Sequence, residues 1–192
     1  DADGVTSEVI LQRFRDAIER ADADGTYETD RDEGDADRAL ANAARVVRRS
    51  YSVPYLAHAC MEPMNALAHV HGDRCTLHTG TQNPLGFRYE VAAALGLGPD
   101  AVTVTNYFMG GGFGRRSNAD AAIQAARISK AAGVPVKLIW SREQDMRHDH
   151  YRPAVASSFA AALDAQGRPV AWTNTYVDKH EPAEAPLIPY AV

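Results

Sequence analysis

Apolar positions in the first part of the chain recur at helical spacing: Ile10, Phe14, Ala17 with Ile18, and Ala21, with Gly25 as the stop. The pattern predicts a helix from about Thr6 to Asp22. The acidic, polar stretch from Thr26 to Gly34 reads as a solvated connection, after which Asp35 or Asp37 can cap a second helix running to about Val46. The period then changes to two, and Val47, Tyr51, Val53 and Tyr55 alternate as in a strand. Met64 to His71 and Arg74 to Thr79 read as a hairpin, with Gly72-Asp73 as a type II′ turn because that turn needs glycine first. The register sets Val70 opposite Cys75, His71 opposite Arg74 and His69 opposite Thr76. Ala68, Val70, Cys75 and Leu77 then share the core face, and His69, His71, Arg74, Thr76 and His78 share the other.

Asn83-Pro84 is a strong helix start, an N-cap residue followed by proline at the first helical position, and Gly96 stops that helix after Leu95. Val102 to Tyr107 predicts a strand. Ser117-x-x-Asp120 reads as an acidic variant of the capping box for a helix that ends before Gly133-Val134-Pro135. Val136 to Trp140 predicts a short buried strand, and Ser141-x-x-Gln144 a helical turn. Ala154 to Leu163 and Arg168 to Asp178 predict a second hairpin around Asp164-Ala165-Gln166-Gly167. No repeat is visible, and hairpins mixed with helices point to an α+β fold.

Between the strand at Val102 and the next helix lies Gly110-Gly111-Gly112-Phe113-Gly114, followed at once by Arg115-Arg116. Without Cβ atoms, such a loop lets backbone N–H groups approach a large polar ligand, and strand, glycine loop and helix form a common anion or cofactor cradle. It fits neither usual nucleotide signature, since Arg115 stands where a dinucleotide fingerprint or a Walker A loop needs glycine. A tight turn that binds nothing is the competing reading. Gln82 is the natural companion of the loop. It precedes the Asn83 N-cap, by the positive end of a helix, and its amide can donate to an oxo or phosphate group without adding charge.

Composition narrows the field. With 192 residues, 45% hydrophobic and 23% charged, the chain can build one core or two small lobes. A net charge of −5 without a long basic run argues against nucleic acid, and no apolar stretch approaches the roughly 18 residues of a membrane span. The start at Asp1-Ala2-Asp3 looks like a cut or processed end, which leaves the compartment open. Cys60 and Cys75 lack any CxxC spacing and read as buried free thiols, without iron–sulfur ligands in this chain. His69, His71 and His78 invite a metal, but Arg74 sits among them and no carboxylate accompanies them; a solvated polar face is the better account, and no metal ligand is assigned. His148-x-His150, flanked by Arg147 and Arg152, reads as a polar contact loop, and Glu62 as a hydrogen-bonded structural carboxylate ahead of a general base.

The ordered series Thr81-Gln82-Asn83, Met109 to Arg116, Val134-Pro135-Val136-Lys137 and Arg142-Glu143-x-Asp145-Met146 resembles the molybdenum hydroxylases, the xanthine dehydrogenase and aldehyde oxidase family, in its large molybdopterin-binding subunit. Pro54 to His58, Met61-Glu62-Pro63-Met64-Asn65, and Met146 to Asp149 with Tyr151-Arg152-Pro153 look most like the isoquinoline 1-oxidoreductase β-subunit branch, which includes bacterial aldehyde dehydrogenases. The resemblance runs from about Val46 to Asp178. It implies a molybdopterin-binding-domain-like α+β fold, a mixed sheet with packed helices. Residues 1–45 would be a helical peripheral segment with an acidic connection, and 46–192 a partial molybdopterin-binding domain.

By position, the resemblance makes Gln82 the glutamine that hydrogen-bonds an oxygen ligand on molybdenum and Phe113 the residue whose backbone faces the metal's ligand shell. Gly111, Gly112 and Gly114 become the glycines that let the pterin approach. The implied reaction is hydroxylation of an aldehyde or N-heterocycle with water as oxygen donor, a glutamate acting as base. The implied cofactor is molybdopterin, in its cytosine dinucleotide form, and electrons leave to a small [2Fe–2S] subunit. Purine-oxidising members carry Lys then Glu where this chain has Arg116 and Ser117, which points away from purines. The family's Gly-Glu catalytic loop lies downstream of Val192, so no catalytic residue is assigned. The chain reads as a piece of a longer subunit, with the remainder of that subunit as its partner, inactive by itself. A stand-alone anion- or nucleotide-binding module using Gly110 to Gly114 without redox chemistry is the alternative, and a purely structural domain is a third reading.

Overall fold

A computed structural model of the chain describes residues 4–177; the expected strand end at Asp178 and everything after it lie outside the described residues. Along the chain come α1 (Ser7–Asp24), α2 (Ala36–Asn42), β1 (Arg45–Val53), β2 (Asn65–His71), β3 (Arg74–Thr79), α3 (Pro84–Leu95), β4 (Val102–Asn106), α4 (Asp120–Ala132), β5 (Val136–Ile139), α5 (Arg142–Arg147), β6 (Val155–Leu163) and β7 (Pro169–Val177). The α+β class expected from the sequence is the one observed. Two compact units share the chain: one takes the residues up to Leu56 and those from Arg152 onward, and the other is Ala57–Tyr151.

In the first unit, β1, β6 and β7 form an antiparallel sheet in that order. Helix α1 starts as its pattern demands. The Thr6 side chain accepts the Val9 N–H, and Gly25 closes the helix in the left-handed conformation at φ 66°. Asp35 caps α2, which stops at Asn42 and not near Val46: Ala43 is already extended, because β1 must begin at Arg45 to pair with Leu163. Pro54 follows directly on the end of β1, so Tyr55 falls outside the strand. Leu56 and Arg152 exchange backbone hydrogen bonds where the chain leaves this unit and returns.

The second unit is a four-stranded mixed sheet in the order β4-β3-β2-β5. The β2–β3 hairpin has the register read from the sequence, His71 with Arg74 and Val70 with Cys75, and Gly72 takes the φ of 58° that its turn requires. Ala68, Val70, Cys75 and Leu77 are buried as expected, while His71, Arg74 and Thr76 are exposed. Asn83 caps α3, which crosses over to β4, parallel to β3. Phe87, Val91, Ala92 and Leu95 of α3 and Ala122, Ala125 and Ala126 of α4 close the core over the sheet.

Two expectations change here. α4 begins at Asp120 and not near Ser117: Arg115–Ser117 form a 3₁₀ turn, and Ala119 at the N-cap provides no side-chain cap. Asp120, which the capping box would use, pairs instead with Arg115. β5 is a half-buried edge strand, not a buried one, because it pairs with β2 on one side only.

Pairing of β5 with β2 stops at Val136 opposite Ala68, which leaves the Val70 N–H without a strand partner. Ser129 of α4 fills the gap: its Oγ accepts the Val70 N–H at 2.9 Å and donates to the Val134 carbonyl at 2.7 Å. Ser129→Ala leaves the buried Val70 N–H unpaired, and should destabilise the protein by about 1–3 kcal/mol, measured as a lower guanidinium midpoint with an unchanged slope.

Candidate functional site

The glycine loop leaves β4 and is fastened from inside the second unit. The Gly110 N–H donates to Glu62 Oε2 at 2.6 Å, and the Glu62 N–H returns a bond to the Gly110 carbonyl at 3.1 Å. Arg116, 2% exposed, turns inward. Its guanidinium donates to the carbonyls of Gly111 (2.9 Å), Gly80 (3.3 Å), Glu62 (2.7 Å) and Pro63 (3.4 Å), and pairs with Glu62 Oε2 at 3.2 Å. The Gly112 carbonyl accepts the Arg115 N–H and the Cys60 thiol. The carbonyls of Gly110, Gly111 and Gly112 are thus committed to protein. The N–H groups of Gly111 and Gly112 make no hydrogen bond among the described residues. Carbonyls engaged by protein beside N–H groups left unbonded by the described residues give a backbone suited to an anion.

Gln82 lies against this loop. Its Oε1 accepts the Gly114 N–H at 2.9 Å, which leaves the side-chain amide NH2 as a donor with no partner among the described residues. The residue is held by its backbone: the Arg116 carbonyl accepts from the Gln82 N–H (3.0 Å) and the Thr81 hydroxyl (2.8 Å), and Asn106 bonds both the N–H and the carbonyl of Thr81. The Asn83 cap places all of this at the N-terminus of α3.

The glycines serve different ends. A Cβ on Gly112 would come within 2.5 Å of Gln82 Oε1, one on Gly110 within 2.6 Å of Glu62 Cβ, and one on Gly111 within 3.0 Å of the Phe113 ring. These three are needed by the protein's own packing. Gly114, at φ 100°, would meet no clash at its Cβ, only an ordinary van der Waals contact with His58 Nε2 at 3.9 Å. Phe113 (φ 54°) and Ala59 (φ 46°) are the non-glycine residues with positive φ among those described, and both border this loop. Backbone of this kind costs on the order of 1–3 kcal/mol per residue and persists only where its surroundings enforce it.

Sequence reasoning missed the ion pairs behind the loop. Arg115 is 1% exposed; its guanidinium bonds both Asp120 oxygens (3.1 and 2.7 Å) and stacks 5.5 Å from the centre of the Trp140 ring. Its Nε lies 2.9 Å from Asp149 Oδ1, charge against charge without hydrogen-bond alignment. Asp149 in turn accepts the His58 backbone N–H and approaches His58 Nδ1 at 3.0 Å. Nothing in the local pattern announces a contact between residues 58, 115 and 149; only the motif phrases carrying His58 and Asp149 pointed at them.

The structure therefore brings together Gln82, Gly111, Gly112, Phe113 and Gly114. It leaves other histidines elsewhere: His78 meets the Tyr107 hydroxyl, His148 packs on Trp140, and His150 stands 3.7 Å from Asp120. No cluster of three or more His, Cys, Asp or Glu suited to a metal occurs among the described residues. Glu62 is a structural carboxylate. Burial pushes its pKa up, but the Gly110 N–H, the Asn65 amide and the Arg116 charge outweigh that and hold it below the usual value. Burial pushes the Cys60 thiol up, which keeps it protonated beneath the loop. Among the described residues no helix is long and apolar enough to cross a membrane.

Comparison with known proteins finds relatives of the chain. A membrane-bound aldehyde dehydrogenase [pyrroloquinoline-quinone] of Gluconacetobacter polyoxogenes is 37% identical over 165 residues, 85% of this chain and 21% of that protein. The isoquinoline 1-oxidoreductase subunit beta of Brevundimonas diminuta is 41% identical over 106 residues, 55% of this chain and 14% of that protein. The crystal structure of quinoline 2-oxidoreductase from Pseudomonas putida 86 superimposes with a TM-score of 0.67 at 27% identity, covering 76% of this chain and 19% of that one. The chain thus spans about a fifth or less of the length of these relatives. The family model of the molybdopterin cofactor-binding domain matches residues 19–187, and the chain belongs to that family.

Proposed function

We propose that the Gly110–Gly114 loop and Gln82 form one wall of a molybdopterin site in the large subunit of a molybdenum hydroxylase. The observation that carries this reading is the Gln82–Gly114 bond: it orients a neutral amide donor beside two free backbone N–H groups. A bound molybdenum cofactor would supply the redox chemistry, taking electrons from an aldehyde or N-heterocycle while water provides the oxygen. This chain's residues would bind and orient it. Gln82 offers a hydrogen bond to an oxygen ligand, Gly111 and Gly112 offer their N–H groups, Phe113 presents backbone, and Gly114 leaves room for approach. Residues 46–192 form part of the cofactor-binding domain in this reading, with 1–45 a peripheral segment.

The remainder of the large subunit and a small [2Fe–2S] subunit complete the enzyme, with the cofactor in its cytosine dinucleotide form. The aldehyde, isoquinoline and quinoline oxidoreductases among its relatives favour aldehyde or N-heterocycle substrates. Arg116 occupies the place of the lysine that precedes a substrate-binding glutamate in purine-oxidising members, and its guanidinium is buried and committed to four carbonyls.

In the full-length protein from a molybdate-fed host, Gln82→Ala should at least halve the molybdenum bound per chain; unchanged metal would overturn the assignment of Gln82. Gly112→Ala, whose Cβ collides with the Gln82 side chain, should have the same effect. Residues 1–192 alone should oxidise neither an aldehyde nor isoquinoline above background, as followed by dye reduction.

A further inference from the structure

One polar side chain beside the loop has no task in the reading above. The His58 side chain is 9% exposed, and its Nδ1 lies 3.0 Å from Asp149 Oδ1. A carboxylate only accepts, so the ring proton sits on Nδ1 and Nε2 is the open end. Asp149 is itself fixed, by the His58 backbone N–H and by Arg115. Nε2 makes no hydrogen bond among the described residues. It lies 3.9 Å from where a Cβ of Gly114 would be, an ordinary van der Waals separation. The N–H of the same glycine is the group that Gln82 holds. A nine-tenths-buried ring, clamped at one nitrogen and unpartnered at the other, therefore stands at the one glycine of the loop that the protein's own packing leaves open.

We propose that His58 is a further ligand-contacting residue of this site, its Nε2 accepting a hydrogen bond from an N–H or O–H group of the molecule seated on Gly111–Gly114, with Asp149 as the positioning residue that fixes the ring. The proposal rests on the cofactor reading of the site. The competing account makes His58 a purely structural tie to Asp149. The two differ in which nitrogen matters, and two substitutions separate them. Asparagine at 58 places its amide near the Nδ1 position and keeps the tie to Asp149. Glutamine reaches the Nε2 position and gives up the tie.

The test is molybdenum per chain and thermal midpoint in the full-length protein, for wild type, His58→Asn and His58→Gln. Molybdenum-free wild type overturns the cofactor reading itself, before any variant is considered. With loaded wild type, His58→Asn should keep its thermal midpoint and lose at least threefold in bound molybdenum. Wild-type loading in a folded His58→Asn protein would overturn the proposal. Should His58→Asn fail to fold, His58→Gln decides: loading near wild type supports the Nε2 contact, and a folded but empty protein sinks it. Failure of both to fold assigns His58 to the fold alone and likewise overturns the proposal.

Discussion

A single buried guanidinium sets the geometry on which the site depends. Arg116 reaches carbonyls on three separate segments, at Gly80, at Glu62-Pro63 and at Gly111, while its own carbonyl receives Thr81 and Gln82. An arginine removed from water must satisfy a planar fork of donors, and here the fork does so by fixing the distances among the segments that build the loop. Glu62 supplies the countercharge and also binds the Gly110 N–H, so charge balance and loop position are the same interaction. Lysine at this position would offer a point charge without the fork, and the segments would lose their common reference.

Around that hub the sheet supplies stiffness. β3 and β4 run parallel and end at the loop side with Thr79 and Asn106, and α3 begins just beyond β3. The alanines of α4 bring that helix close to the sheet, which lets Ser129 reach the backbone of β2. Gln82 and the glycine loop therefore hang from elements whose spacing the core has already fixed. The strained backbone at Ala59 and Phe113 lies where these supports converge.

Local features were legible in the sequence. The Asn83-Pro84 cap, the Gly72 turn and the hairpin register all depend on residues close in sequence, and each determines its own conformation. The pairing of Gln82 with the loop was read as chemically sensible, and the Gln82–Gly114 bond makes it physical. What escaped was long-range charge. Arg115 and Arg116 follow the glycine loop with no partner announced nearby, yet both are buried and consumed by carboxylates and carbonyls. The α4 start slipped for the same reason, since Asp120 serves Arg115 in preference to the helix it opens. Partners tens of residues apart leave no periodic trace, whereas caps and turns do.

The bridge between Leu56 and Arg152 bears on how such a chain can fold. Strand β1 finds β6 across about a hundred residues, Val53 against Val155, and closing so long a loop from an open chain costs conformational entropy that grows with the logarithm of its length. The residues from Ala57 to Tyr151 form their own sheet and core, with most strand partners nearby in sequence. Once that segment is compact, the flanking strands are tethered ends of a much shorter effective loop. An inserted unit of this kind turns a high-contact-order sheet into the closing of a zipper whose first tooth, Leu56 with Arg152, sits beside the insertion.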